Sequence, residues 1–176
     1  MNQTSASYRR IRETVIFAML GAIMFCGKLV FEAVPNVHPL ALLTVTYTVV
    51  YRQKALFPIY IFVILTGIYA GFAQWWVPYL YLWTVLWAIT MLLPKNMPAK
   101  VCIVVYPLVC ALHGIAYGTL YAPAQIIMFF DGDFSKMIPW IASGFPYDII
   151  QMVGNFVAGM LVYPLVQLLR RLEKSY

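Results

Sequence analysis

Charge is what this 176-residue chain has least of, with 10% of its residues charged against about 25% in an ordinary soluble domain. That is too little to cover a water-facing surface, which excludes a soluble enzyme or a disordered tail. Cysteine is scarce as well. Cys26, Cys102 and Cys110 all fall in apolar stretches, and an odd count without a Cys-x-x-Cys pair gives neither a disulfide framework nor a metal site. They read as small hydrophobes in helices. The histidines are two, His38 and His113, and neither has a partner at metal-ligand spacing. Walker, Gly-x-Ser-x-Gly and His-Glu-x-x-His patterns are all missing. A self-powered pump, a hydrolase and a resident cofactor therefore have no support, and the chain is not expected to be an enzyme.

What is present is apolar mass: 63% hydrophobic residues, 16% aromatic, and a mean hydropathy of +0.81. The chain reads as an integral membrane protein, too short to carry a separate soluble domain. Its net charge of +6 comes from basic residues in small groups between apolar runs. Nucleic acid would need a basic face, so the expected partner is the bilayer. Arg9, Arg10 and Arg12 before an apolar run resemble a signal peptide, but no small-x-small cleavage site follows. The run reads as a retained first helix.

Six apolar segments are expected to be helices: 14–33, 39–51, 55–72, 78–93, 101–121 and 146–169. Lipid leaves backbone groups no water to bond, and long runs without alternation argue for helices over barrel strands. Segment 39–51 is short against the roughly 20 residues that cross the hydrocarbon. Charge placement compensates. Ten of the twelve basic residues sit at 9–12, 52–54, 95–100 and 170–174, while the alternate connections hold only Lys136. This alternation is what the positive-inside rule produces with every segment spanning. The expected fold is all-α: a compact bundle of six transmembrane helices in one domain, both termini cytoplasmic, multi-pass in the cell membrane.

The outward connections carry the candidate ligand-binding residues. Trp75, Trp76, Tyr79 and Tyr81 form an aromatic cluster, readable as an interfacial belt or as a pocket wall. The stretch 122–145 reads as a long outer loop whose apolar start, 124–130, lies on or dips into the membrane. It adds Asp131 and Trp140, and Tyr147 follows. A long structured loop in so small a protein is more often functional than filler. Charges at membrane depth also point to function. Lys28 and Glu32, four apart on the first helix, can pair with each other or face a ligand; His38 lies close by in sequence. Asp148 in the first turn of the last segment suits the helix dipole and can cap it. With Gln151 and Asn155 it makes a polar stripe that must look inward, as interhelical glue or as a ligand-facing wall. Ala18, Gly21 and Ala22 leave a shallow groove on the first helix, and Gly114 with Gly118 repeats the spacing of small residues that marks close helix contacts.

Nearly the whole chain resembles the substrate-binding S components of energy-coupling factor vitamin transporters. The likeness rests on six spans with both ends inside, Ala18-x-x-x-Ala22, and the Gly144-Phe-Pro-Tyr-Asp148 run that leads into the last segment. Such a resemblance implies a micronutrient pocket on the outer side, built from the later helices and roofed by the outward loops. It implies docking through Ala18 and Ala22 onto a membrane T component coupled to two ATPase subunits. The N-terminal histidine of the family's cobalt and nickel members is missing. The outer half offers Lys28 and Lys136 but no arginine fork for a carboxylate or phosphate. Large aromatic planes and neutral groups suit a bulky, amide-rich ligand, so the chain looks most like the cobalamin-specific branch. A thiamine-like or pyridoxine-like cation, met by Glu32, Asp131 and Asp133, is the alternative.

Overall fold

The computed structural model describes residues 3–33 and 38–174, and these are helical almost throughout, with no strand among them. Among the described residues seven α-helices follow one another: α1 (Gln3–Val30), α2 (Leu40–Tyr51), α3 (Leu56–Ala70), α4 (Tyr79–Met91), α5 (Ala99–Phe129), α6 (Met137–Gly159) and α7 (Val162–Lys174). Local chemistry sets most ends. α3 stops at Gly71, whose φ of 88° suits a residue without Cβ. Pro78 precedes the first turn of α4, where its missing N–H costs nothing.

Three boundaries differ from the sequence reading. α1 starts at Gln3 and not at residue 14, because nothing between them breaks a helix, and it ends at Val30. α5 runs through Pro123 to Phe129, since one lost hydrogen bond does not end a helix whose neighbours pack against α6. Asp131 and Gly132, with φ of 52° and 76°, turn the chain instead. The expected outer loop 122–145 is thus mostly helix, a hairpin made by the end of α5 and the start of α6. The expected helix 146–169 is part of α6 plus α7, bent by 44° at the break. Pro164 lies four residues after Met160 and cannot donate to its carbonyl, which accounts for the break.

The helical stretches long and apolar enough to cross a bilayer are Ser7–Val30, Leu40–Ala70 as one run, and Ala99–Phe129; the bent pair of α6 and α7 makes a fourth. Side-chain pairings show that the Leu40–Ala70 run folds back on itself. Tyr51 meets Phe17 at 5.3 Å between ring centroids and Tyr47 donates to Leu20 O, so α2 runs antiparallel to α1. Phe57 stacks on Phe17, Ile61 covers Gly21 and Tyr69 meets Phe25, so α3 runs parallel to α1. The reversal is the 3-10 turn Arg52–Ala55, where Arg52 has φ 54°. α4 returns along α3 through Tyr60, which bonds Leu80 O (3.0 Å) and Thr84 (2.9 Å). α5 pairs antiparallel with α4, and α6 antiparallel with α5.

This arrangement gathers the basic groups at one end. Lys54 pairs with Glu13 at 2.7 Å, and Arg52 Nη2 donates to Met91 O at the far end of α4 (2.7 Å). Glu173 of α7 lines the same recess as Glu13, Tyr51 and Lys54. The connections carrying Trp75 and Lys136 lie at the other end. Between them, the core centres on Met24, Leu40, Val45, Phe62, Trp83 and Leu86, all fully buried. Cys102 and Cys110 are buried within it, and Cys26 is exposed on α1.

Candidate ligand site

On α4, Tyr79 and Trp83 are one turn apart; on α5, His113, Tyr117 and Tyr121 repeat the same four-residue step. Residues so spaced share a helix face, and the antiparallel pairing of α4 with α5 sets the two stripes against each other. Trp83 is the hub. It is fully buried, stacks on Tyr79 at 6.1 Å and 14°, and meets His38 at 6.0 Å, Phe62 at 6.0 Å, His113 at 5.6 Å and Tyr117 at 6.3 Å. The ladder continues outward through Tyr117 and Tyr121, and Tyr121 stacks on Trp140 at 6.1 Å. Tyr121 also donates to Trp75 O at 2.9 Å.

α6 supplies the polar wall. Asp148, Gln151 and Asn155 are 5%, 2% and 1% exposed, so the inward stripe read from the sequence is where it was expected. Its meaning changes in one respect. α6 begins at Met137, so Asp148 lies deep in the helix and caps nothing. It reaches α5 instead, accepting from Gly118 N at 3.0 Å. A Cβ at Gly118 would overlap the Asp148 carboxylate, and one at Gly114 would stand 2.8 Å from the Met152 backbone. Two glycines therefore let α6 lie close enough for its polar stripe to border the same stretch of α5 that carries His113 and Tyr117.

Several of these groups find no protein partner. Trp83 Nε1, Gln151 Nε2 and Asn155 Nδ2 are buried donors without acceptors. His113 uses Nε2 against Leu82 O at 3.1 Å, which leaves Nδ1 as a buried acceptor without a donor, and Asp148 Oδ2 is likewise unpaired. His38 Nδ1, Thr44 Oγ1 and Thr46 Oγ1 add to the set from the start of α2. Native interiors pair more than nine in ten buried polar groups, so this set of unpaired atoms is an unusual concentration for the interior of one small bundle. Among the described residues, no group of three or more His, Cys, Asp or Glu is placed to hold a metal ion.

The sequence-predicted residues divide. Tyr79, His38, Trp75 and Trp140 join this stack, while Asp148 and Gln151 meet the neighbouring glycine face of α5 and Asn155 is buried further along α6. Trp76 does not: its indole donates to Val63 O at 2.8 Å and packs on Phe72, against α3. Tyr81 ties α4 to α5 by donating to Leu120 O at 2.8 Å. Tyr147 is exposed, one helical step of about 100° away from the inward Asp148. Asp131 is an exposed turn residue, held at positive φ. Asp133, near it, is occupied by Ser135 and Lys136, and the Ser135 hydrogen bonds hold its carboxyl below the usual range. Lys28 and Glu32 form no ion pair, because α1 ends at Val30 and Glu32 lies in the turn beyond, where helical i, i+4 spacing no longer applies. Gly21 is buried under Ile61 and is internal packing, whereas Ala18 is exposed and Ala22 half-buried. Sequence reasoning missed Trp83, Tyr117 and Tyr121. The signal was the repeated four-residue aromatic spacing on α4 and α5.

Compared with protein-family models, curated proteins and solved structures, the chain matches none.

Proposed function

We propose that the protein is the substrate-capture S component of an energy-coupling factor importer, with a vitamin held between α4, α5 and α6. The observation that carries this reading is the set of buried, unpartnered donors and acceptors beside the Trp83 stack. A bound solute compensates their desolvation, which otherwise costs about 1–3 kcal/mol per group. Three donors with two acceptors complement amide groups, and the rings complement a flat apolar face. Cobalamin offers both and is the ligand proposed first. A second reading has a specific observation behind it: Trp83 and its ring partners fill the centre, so a single small ring of thiamine or pyridoxine type displaces fewer side chains than a corrin.

In this proposal the chain crosses the cell membrane six times. α1 to α5 make one crossing each and the α6–α7 pair makes the last, with residues 9–12 and 170–174 on the cytoplasmic side. The gathering of basic residues at one end supports that orientation. The outer face of α1, at the exposed Ala18 and the half-buried Ala22, docks onto a T component that is coupled to two ATPase subunits.

Titration of the purified protein with cobalamin, followed by visible absorption and tryptophan emission, tests the reading. Saturable binding with a retained red colour is expected. Absence of saturable binding to cobalamin, thiamine and pyridoxine alike would hand the protein to the accessory class. Ala18→Leu is expected to leave vitamin affinity within about twofold, since Ala18 faces outward, and to abolish cellular uptake. Wild-type uptake by that variant removes the docking role from α1.

A further inference from the structure

The basic end of the bundle holds a recess that the transport reading does not use. It measures about 390 Å³ and is lined by Tyr51, Arg52, Gln53, Lys54, Met91 and Lys95. Three cations thus border it and no carboxylate does. Two carboxylates stand beside it in the adjoining recess: Glu13, engaged by Lys54 at 2.7 Å, and Glu173, hydrogen-bonded to Tyr51. Arg52 is positioned unusually firmly. Its Nη2 donates to Met91 O at 2.7 Å, and its own carbonyl accepts from Trp87 Nε1 at 3.0 Å. Its Nε is buried and has no partner.

The backbone adds an independent observation. Arg52 has φ 54° and ψ −121°, a conformation that glycine adopts freely and other L-residues adopt under strain. Strain of this kind persists where the surroundings over-determine it and clusters at functional positions. A glycine would make the same reversal between α2 and α3 without cost, so the turn does not require a guanidinium. A half-buried guanidinium with a free Nε, flanked by Lys54 and Lys95 and backed by Trp87, matches an anionic oxygen cluster at headgroup depth.

We propose that this recess binds a phosphate group, presented by an anionic phospholipid of the leaflet at the basic end of the bundle. The Arg52 guanidinium and Lys95 Nζ donate to the phosphate oxygens, and Lys54 shares its charge between Glu13 and the ligand. The occupied site ties the α2–α3 reversal to the end of α4, since both contribute to it.

The full chain in a neutral detergent is titrated separately with short-chain phosphatidylglycerol, short-chain phosphatidylcholine and inorganic phosphate, and binding is read by native mass spectrometry and by the unfolding midpoint. Saturable binding of phosphatidylglycerol, with a raised midpoint and little response to phosphatidylcholine, is expected. Lys95→Gln, at an exposed position, is expected to weaken it about fivefold, near the contribution of one basic residue at an anionic surface. Arg52→Gly, which keeps the turn, is expected to weaken it about tenfold or more. Inorganic phosphate that competes with the lipid and responds to the same variants keeps the phosphate site and assigns its source to a soluble anion. Equal binding of both lipids, or affinity untouched by Lys95→Gln and Arg52→Gly, overturns the proposal. Vitamin binding by Lys95→Gln is expected to be unchanged, so failure here is distinguishable from failure of the transport reading.

Discussion

Trp83→Ala is expected to cost about 3–5 kcal/mol of stability, the range for truncating a large buried aromatic. The side chain is wholly enclosed, and its ring touches those of His38, Phe62, Tyr79, His113 and Tyr117. Losing it opens a cavity shared by α3, α4, α5 and the segment before α2, and ring pairs of this geometry add roughly 0.5–1.5 kcal/mol each to area burial. Thermal unfolding of the detergent-solubilised variant measures the loss. Trp83→Phe separates packing from chemistry. It keeps a ring in the stack and removes Nε1, which has no partner within the protein. Its stability should stay within about 1.5 kcal/mol of the parent. Vitamin affinity should fall all the same, because a guest that accepts from Nε1 loses that hydrogen bond. Affinity unchanged in Trp83→Phe would show that the indole is structural and that the guest is recognised elsewhere along the stack.

Why the sequence pointed to parts of this site and not to its hub follows from what each kind of residue signals. Asp148, Gln151 and Asn155 were legible because polar atoms in an apolar helix must turn inward, whatever the details of packing. Trp83 and Tyr117 gave no such alarm, since an aromatic residue in an apolar helix is equally at home facing lipid. Their positions become informative only when the α4 stripe is set against the α5 stripe, which is a tertiary fact. The connections misled for a related reason. Proline at 123 and 164 has the same local effect on the hydrogen-bond ladder, yet α5 passes through one and the last helical run breaks near the other. Packing decides which outcome occurs, as α6 lies along α5 on both sides of Pro123. The turn at Arg52 was legible as a boundary from its charge, while its strained geometry was not, because nothing in the side chain of arginine announces a positive φ.

The second large effect is expected at Gly114. A Cβ there stands 2.8 Å from Met152 Cα, 2.9 Å from Gln151 O and 2.9 Å from Met152 N. All three are backbone atoms, so no rotamer change relieves the overlap and α6 itself must move. Gly114→Ala is expected to cost about 1–3 kcal/mol, as overpacking of a close-packed interior does, and Gly114→Leu more. The same alanine at Gly144, where a Cβ meets nothing within 4 Å, should instead stabilise α6 by about 0.5–1 kcal/mol through helix propensity alone. Opposite signs for one chemical change, measured by unfolding midpoints in the same detergent, isolate the helix contact from any general effect of replacing glycine. The consequence for binding is specific to this molecule. Displacing α6 from α5 at Gly114 carries Gln151 and the residues after it away from α5 while Asp148 stays anchored on Gly118, so the polar wall tilts about one end. Vitamin affinity should therefore drop in Gly114→Ala by more than the stability loss alone explains, at temperatures well below its unfolding. Parent-like affinity at such temperatures would place the guest away from the α5–α6 seam, on the α4 side of Trp83.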